Sequence, residues 1–329
     1  MVTQVDANTL DAEAEEFARD FASMVSNIER VLRGKTQVIR LALACLAAEG
    51  HLLIEDVPGI GKTSLAKAIA ESIDGTWTRI QFTPDLLPTD VTGVQIFNRR
   101  TNEFEFRPGS VFANVVLGDE INRASPKTQS ALLEVMQEYQ VTVDGRSYPV
   151  PYPFIVVATQ NPIEHEGVYN LPEAQLDRFL MRISVGYPDR AAELEVIDLA
   201  VGRRRPSALS PVITTHDIER MANVVERTFV APAVRQYIVS IARATRELPQ
   251  LRLGVSPRGA IALTRASKAY AAADSRPFVT ADDVKAVVPF VLGHRMIVSP
   301  EAELAGVTSI DLLDRVIKSV PVPKRREEG

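Results

Sequence analysis

Apolar and polar positions along this chain follow two periods, and the change from one to the other outlines its organisation. Over the first fifty residues the spacing is helical. Phe17, Phe21, Val25, Ile28 and Leu32 form one stripe, and Val38, Leu41, Leu43 and Leu46 mark a second segment. A short apolar run at 52–54 leads to a predicted helix from Lys62 to about Ile73, a turn at Asp74-Gly75 and an alternating strand over 77–82. Alternation then returns as two hairpins. Segments 93–97 and 103–106 flank the polar turn 99–102, while 140–143 and 146–150 flank Asp144-Gly145, a dipeptide suited to a tight hairpin turn. Unbroken apolar runs at 115–117 and 154–158 read as strands buried on both faces, as in a parallel sheet. From about Pro188 helical spacing takes over, at 191–201, 217–228, 232–248, 259–273 and 281–292, with Thr214, Ala231 and Thr280 among the boundary signals. The expectation is an α/β chain with N-terminal helices over 1–50, a parallel-sheet core over 51–188, and a helical lid domain with a C-terminal tail over 189–329.

The first strand runs into Glu55-Asp56-Val57-Pro58-Gly59-Ile60-Gly61-Lys62-Thr63-Ser64, a glycine-containing turn that opens a helix. This is the build of a phosphate-binding loop. Glycines reach the conformations that aim backbone N–H groups inward, and a helix N-terminus favours negative charge. Residues Val57, Pro58, Gly59, Ile60, Gly61, Lys62, Thr63 and Ser64 are the candidate ATP-binding set. Lys62 would reach the β- and γ-phosphates, and the Thr63 hydroxyl would ligate Mg2+. The first glycine of the general pattern is replaced by Asp56, whose carboxylate must point away from the phosphates or repel them. Gly34-Lys35-Thr36 imitates the motif by letter but follows no strand, and so is set aside, although a turn there could line the adenine pocket.

The apolar run at 115–117 ends in Gly118-Asp119-Glu120, two adjacent carboxylates at the carboxyl end of a strand, where ligands of α/β sheets sit. Asp119 would hold Mg2+ through a water, and Glu120 would orient the attacking water and accept its proton. Leaving a sheet through Asp-Glu is common, and the pair gains its meaning from the loop upstream. The run at 154–158 exits through Thr159-Gln160-Asn161-Pro162; Asn161 could bond the γ-phosphate or the water, although Asn-Pro also simply makes a turn.

Composition narrows the classes. A chain of 329 residues with 46% apolar and 24% charged positions can bury the cores of two domains and is neither disordered nor fibrous. Its single cysteine, Cys45, excludes an intramolecular disulfide and fits a reducing compartment. The acidic N-terminus and the lack of any apolar stretch near the roughly 20 residues of a spanning helix lead to the expectation of a soluble cytoplasmic protein without a membrane span. A net charge of −5 makes nucleic acid an unlikely partner, and Arg203-Arg204-Arg205 and Lys324-Arg325-Arg326 read as solvated linker and tail. His51, His165, His216 and His294 lack metal-ligand spacing.

Five segments in order carry a family resemblance: the phosphate loop, Asp119-Glu120-Ile121-Asn122-Arg123-Ala124, Ala158-Thr159-Gln160-Asn161-Pro162, Leu171 to Phe179, and Ser256-Pro257-Arg258. Together they resemble the MoxR family of AAA+ ATPases, over most of the chain. Members often lack the first loop glycine, and the two hairpins match the one inserted before the Asp-Glu strand in the helix-2-insert branch and the one before the Asn161 strand. The resemblance implies an AAA+ phosphate-loop core with a lid, and assigns Lys62 and Thr63 to Walker A, Asp119 and Glu120 to Walker B, and Asn161 to sensor 1. It makes Arg178 an arginine finger reaching into a neighbouring subunit, and Arg258 sensor 2; Arg123 matches a family position of no assigned role. Taken by residue type alone, Arg178 suits phosphoryl charge, being always ionised and forked, with an ion pair to Asp177 or Glu173 as the weaker alternative. By analogy with the family the chain works as a ring, a hexamer, and acts on a protein with a von Willebrand factor A-type domain. The expected activity is Mg-dependent ATP hydrolysis coupled to remodelling or maturation of a partner protein. A nucleotide-gated scaffold without turnover and a DNA-acting helicase-type motor are the alternatives.

Overall fold

A computed structural model describes residues 4–56, 59–161, 168–187, 190, 193–194 and 209–323. Val57 and Pro58 of the loop, Pro162, His165, the boundary at Pro188, most of the helix expected over 191–201 and both basic clusters lie outside the described residues. In chain order the elements are α1 (Gln4–Glu29), α2 (Thr36–Ala47), β1 (Leu52–Glu55), α3 (Lys62–Ser72), β2 (Trp77–Gln81), α4 (Pro88–Thr92), β3 (Gly93–Asn98), β4 (Glu103–Pro108), β5 (Val115–Asp119), α5 (Pro126–Glu138), β6 (Gln140–Val143), β7 (Arg146–Pro149), β8 (Ile155–Gln160), α6 (Glu173–Leu176) and β9 (Met181–Ile183). Helices at Thr215–Arg227, Pro232–Arg246, Pro257–Ala273, Ala281–Leu292, Pro300–Leu304 and Ser309–Ser319 follow. By compactness the chain divides into two units, one of Ala22–Phe179 with Ile183–Glu219, the other of Met1–Phe21, Leu180–Arg182 and Arg220–Gly329.

The first unit is built on the strands β2, β5, β8 and β1, adjacent in that order, whose β2–β5, β5–β8 and β1–β8 pairs are parallel. Strands β1, β5 and β8 are buried along nearly their whole length, which is why they read as apolar runs rather than as alternations. Leu53, Val116 and Val156 point to one core with Phe82, Leu132, Leu133, Phe154 and Phe179. At the register Gln81–Asp119 the ends of β2 and β5 lie side by side, and Glu55 pairs with Gln160 one strand further on, so the loops that leave these strands gather at one end of the sheet.

His51, just ahead of β1, is buried between strands and helix. Its Nδ1 accepts the Val156 N–H at 3.0 Å, so the proton belongs on Nε2, which donates to the Met136 carbonyl at 2.9 Å. A neutral imidazole therefore fastens β8 to the end of α5. The two expected hairpins are present, β3 with β4 and β6 with β7. Asp144 and Gly145 carry φ of 48° and 76°, the paired left-handed conformation that a two-residue hairpin turn requires. The hairpins touch each other, Phe106 of β4 stacking on Tyr148 of β7 at 3.9 Å between ring centroids and 14° between planes.

The second unit is helical. Ser256, Thr280, Ser299 and Thr308 cap the helices that follow them, each hydroxyl accepting a backbone N–H, and Asp283 and Asp311 return the bond to Thr280 and Thr308. Asp283 also takes a forked pair of bonds from Arg276, at 2.5 and 2.6 Å. Arg220 pairs with Glu16 and Asp20, and Arg227 with Glu13, tying the middle of α1 to helix Thr215–Arg227. The capped helices beyond residue 292 and the small antiparallel pair Leu251–Leu253 with Ile297–Val298 were not part of the expected lid pattern.

Candidate active site

Gly59 and Gly61 hold φ of 86° and 97°, and Gly61 is the N-cap of α3. A side chain on Gly61 would be strained there and would also press within 2.9 Å of Leu32. The first turn of α3 contains no acidic residue, so its free N–H groups face the loop without an internal competitor for an anion. Asp56 turns its carboxylate away, as the sequence predicts. Oδ2 accepts from Ser184 Oγ at 2.8 Å and from the Gly186 N–H at 2.7 Å.

Lys62 is largely buried, and its ammonium donates to the Asp56 carbonyl at 2.6 Å. Burial pulls its pKa below the ordinary lysine value, opposed by the negative charges of Asp119, Asp56 and Glu120. Among the described residues the Thr63 hydroxyl makes no hydrogen bond.

Two acidic residues face this loop from the end of β5. Asp119 Oδ1 accepts from Thr159 Oγ1 at 2.6 Å, while Oδ2 pairs with Arg79 Nη2 at 2.6 Å. Glu120 adopts a left-handed conformation, φ 56° and ψ 51°, which bends the chain sharply out of the strand and starts a short 3-10 turn. Its N–H donates to Thr159 Oγ1 at 2.9 Å, and its Oε2 accepts from Gln81 Nε2 at 2.8 Å and Arg123 Nη1 at 3.0 Å. Behind it the buried Gln129 amide donates to the Ile121 carbonyl at 3.1 Å and the Tyr169 carbonyl at 2.9 Å, holding the following turn.

These side chains share one cavity of about 470 Å³. Gly59, Gly61, Lys62, Thr63 and Ser64 form its floor, and Asp119, Glu120 and Asn161 form its wall. Ile60 is buried beside the loop and does not line it. Arg178 follows α6 outside the cavity and, among the described residues, forms no ion pair with Asp177 or Glu173. Arg258 is exposed in the first turn of helix Pro257–Ala273, in the other compact unit.

Sequence reasoning missed Arg79 and Gln81, which complete the wall. Both lie on one face of β2, two residues apart, and their alternation was visible. That the strand lies beside Asp119 follows only from the sheet order. Arg123, left without a role, holds Glu120.

Residues 51–181 match the family model described as ATPase family associated with various cellular activities (AAA), and 243–316 match the AAA lid domain. Chaperone MoxR1 of Mycobacterium tuberculosis (strain ATCC 25618 / H37Rv) is 41% identical, the alignment covering 91% of this chain and 81% of that one. The chain belongs to the MoxR family of AAA+ ATPases. The YeaC protein of Bacillus subtilis (strain 168) is 49% identical over 92% of this chain and 94% of its own. A crystal structure from Cytophaga hutchinsonii ATCC 33406 superposes with a TM-score of 0.90 at 35% identity, over 97% of this chain and 99% of that one. The parallel sheet of this MoxR-family chain is thus an AAA+ core, and its C-terminal helices include an AAA lid. Among the described residues no helix is long and apolar enough to cross a membrane.

Proposed function

We propose that this MoxR-family chain binds ATP with Mg2+ in the 470 Å³ cavity and hydrolyses it to remodel a partner protein. The observation that carries the reading is the convergence of Lys62, Thr63, Asp119, Glu120 and Asn161, from three separate stretches of sequence, on a single cavity. The loop and the start of α3 would hold the β- and γ-phosphates through backbone N–H groups and the Lys62 ammonium, with Val57 and Pro58 completing the loop.

The donor set fits magnesium, since a carboxylate and a hydroxyl are hard oxygen ligands that leave room for phosphate oxygens. Thr63 and Asp119 would hold the ion, which when bound neutralises charge on the phosphates. Among the described residues no group of three or more His, Cys, Asp or Glu side chains could hold a metal without such help. Glu120, aimed by its left-handed backbone, would orient a water at the γ-phosphate and take its proton. Asn161 would bond the γ-phosphate or that water. Arg178 would act on a neighbouring subunit's nucleotide in a hexameric ring, and Arg258 would report nucleotide state to the lid.

A protein partner is supported by the β3–β4 hairpin, which exposes Val94, Ile96, Phe97 and Phe104, the last at 65%. Apolar side chains of this kind suit a protein surface better than a phosphate backbone. The relative named as a chaperone favours a protein client, and by family resemblance that client would carry a von Willebrand factor A-type domain.

Phosphate release and nucleotide titration test the reading together. Lys62→Ala should lose nucleotide binding, whereas Glu120→Gln should keep it and turn over about 10²- to 10⁴-fold more slowly. Equal hydrolysis by Glu120→Gln and the unaltered protein would remove Glu120 as the base.

A further inference from the structure

Arg79 occupies an unusual place for a basic residue. It projects from β2 onto the cavity wall, where Nη2 bonds both Asp119 Oδ2 at 2.6 Å and Gln81 Oε1 at 2.8 Å. Gln81 is itself held by its bond to Glu120 at 2.8 Å, so Arg79 has a support independent of its ion pair. With Thr159 on Oδ1, both oxygens of Asp119 are engaged by the protein.

Most exposed ion pairs contribute little. This one differs in its acidic partner, only 15% of whose side chain is exposed and which stands next to a second carboxylate, Glu120. Two adjacent carboxylates in a half-enclosed cavity repel each other unless cations stand nearby. Arg79 on Asp119 and Arg123 on Glu120 supply one positive charge each.

Resting on the reading of this cavity as the magnesium-nucleotide site, we propose that Arg79 is a built-in counter-cation of Asp119 that incoming magnesium must displace, and that it thereby sets the metal requirement of nucleotide binding. A guanidinium and a divalent ion, or a water that the ion holds, cannot both have full use of Oδ2. The apparent metal affinity is therefore the intrinsic one reduced by the fraction of molecules in which Asp119 is released. A pair with Arg79 about half exposed lowers that fraction by a factor of about 1.5 to 5. The consequence is a site that holds its acidic wall in order before metal arrives.

The test is equilibrium binding of a fluorescent ADP analogue by the full chain, titrated with magnesium chloride and repeated in EDTA. Arg79→Ala should reach half-maximal metal-dependent binding at roughly 1.5- to 5-fold lower magnesium. Gln81→Ala, which removes only the support, should shift the same way by less. Arg79→Gln keeps the size and polarity of the side chain without its charge, and serves if the alanine variant folds poorly. An unchanged or higher magnesium requirement overturns the proposal. Lys62→Ala, run in parallel, separates the two levels. If it binds the analogue as the unaltered protein does, the cavity assignment fails whatever Arg79 does.

Discussion

Asp56 shows how far a single side chain can be read in advance. Its position in the loop implies a carboxylate turned outward, and it bonds elsewhere; its partners, Ser184 Oγ and the Gly186 N–H, lie about 130 residues on and leave no local signal. The first glycine of the general loop pattern has here become an anchor. Asp56→Ala should remove two hydrogen bonds to an ionised acceptor and destabilise the fold by about 1.5–3 kcal/mol, measured by urea unfolding. A change below about 0.5 kcal/mol would mean that the segment 184–186 is held by other contacts. Lys62, Thr63, Asp119 and Glu120 were legible because their chemistry is written in adjacent letters. Arg79 and Gln81 were not, because a polar pair on a strand acquires meaning only when the neighbouring strand is known.

At the scale of elements, the strong signals were the long ones. The buried strands β1, β5 and β8, the Asp144-Gly145 hairpin and the helices Pro232–Arg246, Pro257–Ala273 and Ala281–Leu292 all follow the expected periodicity within a few residues. Strand β9, of three residues, is too short to show a period. Helix Ser309–Ser319 did carry a signal, the Thr308 and Asp311 capping box ahead of Leu312, Leu313 and Val316, but the periodic reading stopped at Leu292. What periodicity could not reveal is that the two hairpins meet through Phe106 and Tyr148. A double-mutant cycle with Phe106→Ala and Tyr148→Ala should return a coupling of about 0.5–1.5 kcal/mol in unfolding free energy. Additive losses would show that the hairpins are held independently.

At the scale of the molecule, the likeness to relatives runs over more than nine-tenths of the chain, and the site is built from segments that a local reading found separately. Arg178 is the residue whose task, on the proposed reading, exceeds one subunit. Arg178→Ala should bind nucleotide normally yet turn over about 10³- to 10⁵-fold more slowly. Mixing it with the slow Glu120→Gln variant should restore part of the phosphate release, because some interfaces then join an intact glutamate to an intact arginine. Absence of rescue would place Arg178 within its own subunit. In a closed ring the symmetry repeats every surface once per subunit, and the Phe97–Phe104 pair of the first hairpin, with ring centroids 5.2 Å apart, is no exception. A target would then meet a circle of identical aromatic contacts, each weak, whose combined avidity depends on how many it can engage at once. Such an arrangement holds a client firmly while letting any one grip slip.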